Sequence, residues 1–258
     1  MVIFYTLPPN NIAFPYILLN AHHPNLGYIK RYHKNIKSII IDSGIEIFRS
    51  MERVDYPRNY EYRIIKIYNF IRQFVEETYL TVPDYCDDYH PGHLWISDMS
   101  NIERTIVNVA YYTSKYNLNW LIPIQGWYKN PDSVYLCLKY YDTLDILEKF
   151  EYFGIAMLCT ENNMKIIHKT IKNVKSVLNK DEKLHVFGLK IKTLRKVYKY
   201  IYSFDSMAWT RPVNSYLKKY FSDRKNRSVR SGVIDYKKMR ELYFQAYLKT
   251  LTPYIQVK

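Results

Sequence analysis

WLIPIQGWYKNPDSVYLCLKYYDTLDILEKFEYFGIAML, residues 120–158, holds two short apolar runs, 120–124 and 153–158, on either side of a stretch with helical spacing. Asn130 and Pro131 open that stretch as an N-cap and a first-turn proline, and Val134, Leu138 and Leu144 carry it to about Phe150. A strand, a helix and a second strand in that order form a crossover unit, which lays its two strands parallel.

The alternation extends both ways from there. Upstream, strands are predicted at 2–6, 16–19, 38–42 and 79–83. A helix fits 57–77, where Ile64, Ile67, Ile71 and Phe74 share one face, and another fits 101–116, where Ser100 and Glu103 make a capping box ahead of Ile102, Ile106 and Val109. Downstream, 162–179 sets Ile167, Ile171, Val174 and Leu178 on one face and Lys165, Lys169 and Lys172 on another. A strand at 184–188, a helix at 190–202, a strand at 203–206 and helices near 212–221 and 235–250 complete the pattern. Eight strands in this alternation predict an α/β fold, a (β/α)₈ TIM barrel, in a single domain over 1–258 with a basic, helical C-terminal segment from about 212 to 258. The rival is an open doubly wound sheet, but no GxGxxG follows the first strand.

With 258 residues and 48% apolar composition, the chain is long enough for one large core. A net charge of +14 makes polyanions, nucleic acid above all, the leading class of partner, with a solvated lysine-rich surface as the plain alternative. Cys86, Cys137 and Cys159 are too few and too scattered for a disulfide framework, which points to a reducing compartment. No basic region precedes the apolar N-terminal run and no stretch is long enough to span a bilayer, so the chain reads as cytoplasmic with no membrane partner. The 28 tyrosines are read mostly as core and rim residues, although aromatics also stack on unpaired bases.

A barrel gathers the C-terminal ends of its strands at one site. Those ends are Asp42 with Ser43 and Gly44, Asp84, Gln125 with Gly126, Gly154 with Ile155, Phe187 with Gly188, and Asp205. Three carboxylates, an amide and several glycines suit a purine: a carboxylate accepts the N1–H and amine of guanine, and an amide or backbone N–H donates to O6. With one carboxylate reading the base, the other two suit glycosidic chemistry, one attacking the anomeric carbon and the other moving a proton, as in retaining glycosidases. Taken singly, Asp42 in Asp-Ser-Gly and Asp84 after a proline read as turn formers.

The ordered set resembles the tRNA-guanine transglycosylase superfamily, in particular its shortened relatives that insert 7-deazaguanine bases into DNA. IIIDSG (39–44) matches the family's DSG motif, VPDY (82–85) its base-reading Asp, and PIQGW (123–127) its VQGG-like motif. FGIAM (153–157) is similar to its GLAVG segment, HVFGL (185–189) to its YLMGVG segment and SFDSMAWTR (203–211) to its FDCVLPTR segment, so the matches cover about 38–214 in the family's order. The resemblance implies Asp205 as the nucleophile at C1′ and Asp42 as general acid/base. It implies that Asp84 reads the Watson–Crick edge with Ser43 beside it, that Gln125 and the Gly154 N–H read O6, that Phe187 covers one ring face, and that Ile155 presents its backbone to the 7-substituent. The family's second glycine is Ile45 here and its stacking aromatic is displaced, with Phe48 as the substitute.

The family's zinc motif, CxCxxC with a distant His, is absent, which favours DNA over tRNA as the polymer, tRNA remaining the alternative. Cys86, His90 and His93 match no standard zinc spacing and read as a loop; no metal and no cofactor is expected. From Lys218 to Arg240 there are nine Lys/Arg against two acids. Arg224, Lys225, Arg227 and Arg230 there, with Arg211, are candidates for phosphate contacts. The reading is a guanine transglycosylase whose partners are a polynucleotide and a free 7-deazaguanine base, with a homodimer left open. Its rivals are a base-releasing N-glycosidase and a non-catalytic nucleic-acid-binding protein on a decayed barrel.

Overall fold

The computed structural model describes residues 1–50, 55–87, 99–212 and 236–256. In chain order the elements are β1 (Val2–Tyr5), β2 (Tyr16–Asn20), α1 (Leu26–Tyr32), β3 (Ser38–Asp42), α2 (Tyr60–Arg72), β4 (Glu77–Thr81), α3 (Asn101–Lys115) and β5 (Trp120–Ile124). They continue as α4 (Val134–Thr143), α5 (Ile146–Lys149), β6 (Tyr152–Ile155), α6 (Met164–Val177), β7 (Lys183–Val186), α7 (Ile191–Val197), β8 (Ser203–Asp205), α8 (Tyr236–Leu251) and β9 (Ile255–Gln256).

Among the described residues the strands form one all-parallel sheet in the order β2-β3-β4-β5-β6-β7-β8-β1-β9, with helices alternating between them. Strands covered on both faces must be apolar throughout. Ile39, Ile40 and Ile41 are accordingly all fully buried, as are Leu121, Ile122 and Ile124. The sheet curls until its ends approach. The Val2 N–H donates to Tyr254 O at 2.9 Å, on the edge of β1 that β9 occupies. Thr6, just past β1, donates to Tyr16 O and accepts from Leu18 N, both at 3.2 Å, bridging to β2.

The helices sit where periodicity places them. Ser100 and Glu103 cap α3 reciprocally, and Asn163 caps α6 by accepting from Lys165 N. The lysine stripe of α6 is exposed; Lys169 pairs with Asp132 at 2.6 Å, which makes the stripe the wet face of a helix. Several boundaries differ from the sequence expectation: α2 stops at Arg72, so that β4 begins at Glu77, and α7 stops at Val197. The β2–β3 connection carries α1, a short helix capped by the Asn25 side chain. Asp145 adopts a left-handed conformation, φ 54°, and splits the third expected helix into α4 and α5. The C-terminal segment is not helical to its end, because Ile255 and Gln256 pair with Val2 and Ile3 as β9. The helix expected near 212–221 lies, beyond Pro212, outside the described residues. No helix among the described residues is long and apolar enough to cross a membrane.

Candidate active site

The C-terminal ends of β3, β4 and β8 open on one cavity of about 310 Å³, whose wall includes Asp42, Glu46, Asp84, Phe187, Lys190, Asp205 and Arg211. Asp42 is the last residue of β3, and the chain must turn sharply after it. Gly44 makes the turn at φ +77°, where a Cβ would lie 2.5 Å from His22 Cδ2 and 2.8 Å from Asn20 Oδ1. The local Asp-Ser-Gly therefore serves both readings at once: it builds the turn and leaves the carboxylate on the cavity wall.

Asp84 is 2% exposed and held from every side. Ser43 Oγ donates to its Oδ1 at 2.7 Å and Gln125 Nε2 to its Oδ2 at 2.6 Å. Tyr56 clamps its backbone, donating to Asp84 O at 2.8 Å and accepting from Asp84 N at 3.1 Å. Tyr60 in turn donates to Ser43 O at 2.6 Å. Burial and neighbouring phenol or carboxylate groups push both tyrosines well above the usual phenol range, so both keep the proton they donate. Beyond Asp84, Asp87 accepts from Asn101 Nδ2 at 3.1 Å and from Tyr128 N at 2.6 Å, which ties the loop to α3 and to the segment after β5.

Asp205 closes β8 at 7% exposure. Its Oδ1 accepts from the Gly188 N–H at 2.9 Å and lies 3.3 Å from His185 Nε2. The turn that follows is anchored to β1 and α8. Thr6 Oγ1 donates to Ser206 O and accepts from Trp209 Nε1, both at 3.1 Å, while Tyr247 donates to Ser206 Oγ at 2.9 Å.

Asp42 is surrounded differently. Burial, then the negative charges of Glu46, Asp84 and Asp205, push its carboxyl well above the usual carboxylate range, opposed by one hydrogen bond from the Gly44 backbone. A carboxyl held protonated is a proton donor, whereas carboxylates surrounded by donors are acceptors or nucleophiles.

No protein-family model and no curated protein matches the chain.

The candidate residues thus divide. Asp42, Asp84, Asp205, Phe187 and Arg211 share the cavity wall. Gln125 is fully buried behind Asp84 and acts as its buttress; the second N–H of its amide remains for another acceptor. Gly154 lies within the sheet, in register with Pro123 and His185, and a Cβ there would lie 2.7 Å from Phe187 Cε2. Its missing side chain seats the Phe187 ring. The backbone of Ile155, expected to face a 7-substituent, takes part in the sheet, its carbonyl accepting from Phe187 N at 3.2 Å. Phe48, the expected stacking aromatic, is buried in a satellite cluster with Ile45, Tyr85 and Cys86. Arg224, Lys225, Arg227 and Arg230, like His90 and His93, lie outside the described residues.

Sequence reasoning missed Glu46, Lys190 and His185. Glu46 sits in the segment that departs from the family pattern and takes a hydrogen bond from Asn20 Nδ2. His185 had a readable signal: a polar residue between the buried Leu184 and Val186 of a strand in a parallel sheet.

Proposed function

We propose that the protein exchanges a guanine in a polynucleotide for a free 7-deazaguanine derivative through a covalent Asp205–sugar intermediate. The observation that carries this reading is a single cavity bearing three strand-end carboxylates in three different surroundings. At about 310 Å³ it lies at the low end of small-ligand pockets, which run roughly 300–1,000 Å³. The bridge from Thr6 to Ile17 supports the underlying (β/α)₈ closure, in which all strand ends face one site.

Each oxygen of Asp84 accepts a hydrogen bond from the protein, one from Ser43 and one from Gln125. A carboxylate oriented in this way on the cavity wall presents two acceptor oxygens side by side, which matches the adjacent N1–H and amine of guanine. Phe187 offers an aromatic wall for the ring. Asp205 attacks C1′ as the base leaves; the C1′–N bond breaks and Asp42, as the acid, protonates the departing base. The incoming base gives its proton to Asp42 and displaces Asp205, restoring both carboxyls. The target nucleotide must leave the stack for this geometry to be reached, and Arg211 at the cavity mouth suits a flanking phosphate. DNA is the favoured polymer and tRNA the alternative.

The test is release and incorporation of labelled guanine with DNA and with tRNA, with and without an added 7-deazaguanine. Exchange that requires the added base supports the reading. Guanine release without it makes the protein a hydrolase, and binding with neither makes it a binding module.

A further inference from the structure

We propose that His185 is a positioning residue for Asp205: it presents a proton from Nε2 to Oδ1, which leaves Oδ2 as the oxygen that attacks. The inference rests on the transglycosylase reading of the site. His185 is 0% exposed and lies one strand away from Asp205, on β7. Both its nitrogens are engaged, Nε2 with Asp205 Oδ1 at 3.3 Å and Nδ1 with Ser203 Oγ at 2.8 Å. Ser203 Oγ is also 2.7 Å from the Tyr152 hydroxyl. The result is a buried row, Tyr152–Ser203–His185–Asp205, running along the interior of the sheet toward the cavity.

The protons of this row follow from counting donors. Ser203 has one hydrogen and two polar neighbours. If it gave that hydrogen to Tyr152, a neutral His185 would have to carry its proton on Nδ1 to bond Ser203. Nε2 would then face a carboxylate oxygen bare, lone pair against lone pair; a ring protonated at both nitrogens avoids this, and it too puts a proton on Nε2. In the opposite order Tyr152 donates to Ser203, Ser203 donates to Nδ1, and Nε2–H donates to Asp205, so every hydrogen is used. Tyr152 has its proton to give, since burial pushes its hydroxyl well above the usual phenol range.

The consequence for chemistry is orientation. Oδ1 takes both recorded donors, His185 and the Gly188 N–H. The carboxylate is thereby pinned by one oxygen and keeps the lone pairs of the other. The Phe187 ring packs edge-on against the same histidine, 4.5 Å from the imidazole.

The experiment has one arm that needs no turnover. ¹⁵N NMR of the histidine ring in the full-length protein should place a proton on Nε2 of His185, with His185→Gln giving the assignment; an Nε2 without a proton overturns the inference. In the exchange assay, His185→Phe should lower kcat roughly 10²-fold with little change in KM for the incoming base. His185→Gln, which keeps a donor near Nε2, should recover most of it, and Ser203→Ala should fall between. Equal loss in His185→Phe and His185→Gln, with both folded, or no loss in either, overturns it. Should the wild-type protein show no exchange, the functional reading fails while the ring-proton measurement still decides the state of His185.

Discussion

The ends of β3 and β8 face the same cavity and carry the same side chain, yet their surroundings are opposite. Asp205 meets donors: a backbone N–H from the β7–α7 turn and an imidazole from β7. Asp42 meets acceptors, with Glu46, Asp84 and Asp205 as negative neighbours and one N–H from Gly44 in its favour. Residue type and position in the repeat are equal, so the raised carboxyl of Asp42 comes from its burial and from the charges around it, Glu46 first and then Asp84 and Asp205. On the proposed function, two carboxyls prepared in this way would divide a displacement between attack and protonation.

The largest effect expected is from removing the proposed nucleophile. Asp205→Asn should reduce base exchange by about 10⁴-fold or more, measured as incorporation of labelled base, with polynucleotide binding retained. Exchange intact in that variant would break the comparison at its first term. Asp42→Asn should reduce exchange by about 10²–10⁴-fold, with the loss smaller for a substrate whose leaving base needs no proton. A loss that is the same for all leaving groups would remove Asp42 from the acid role.

The same substitution sharpens the comparison in a second way. Because the folded protein raises the Asp42 carboxyl, it binds more protons than the unfolded chain at pH values between the ordinary and the raised pKa. Stability therefore falls as pH rises through that window. Asp42→Asn should be as stable as the parent near pH 4 and more stable at pH 7–8, by about 1.4 kcal/mol for each unit of the shift traversed. Thermal unfolding across pH 4–8 checks this; a variant less stable at neutral pH would contradict it.

Gly154→Ala comes next in size. The added methyl meets Phe187 Cε2 at 2.7 Å, and both groups are buried, so the ring must shift. A loss of about 1–3 kcal/mol is expected, read by denaturant unfolding. Loss of stability without any change in affinity for the free base would separate Phe187 from base binding. The smallest effect is at the cavity mouth: Arg211→Ala should weaken nucleic-acid binding and reduce the slope of log K against log salt by about 0.7–0.9, as expected for one phosphate contact.

Much of the site was legible because its carriers sit at the ends of local patterns. Asp42, Asp84 and Asp205 each follow a short apolar run, and a run that alternates with helices has a predictable mouth. The role of Gln125 was not legible. Its strand position is readable, but its bond to Asp84 joins residues 41 positions apart. Gly154 shows the same limit, since an absent side chain says nothing of which ring will fill the space.

By itself the sequence determined the order of β1 to β8 and of the main helices between them, the parallel sheet and the acidic strand ends. Hydrophobic periodicity and turn chemistry are short-range properties and are written contiguously in the chain. Only the tertiary structure decided which carboxyl meets donors and which meets like charge, that His185 stands beneath Asp205, and that Ile255 and Gln256 return to the edge of β1. Those depend on strands brought side by side from distant parts of the chain, where the field at a carboxyl is set by neighbours in space rather than in sequence.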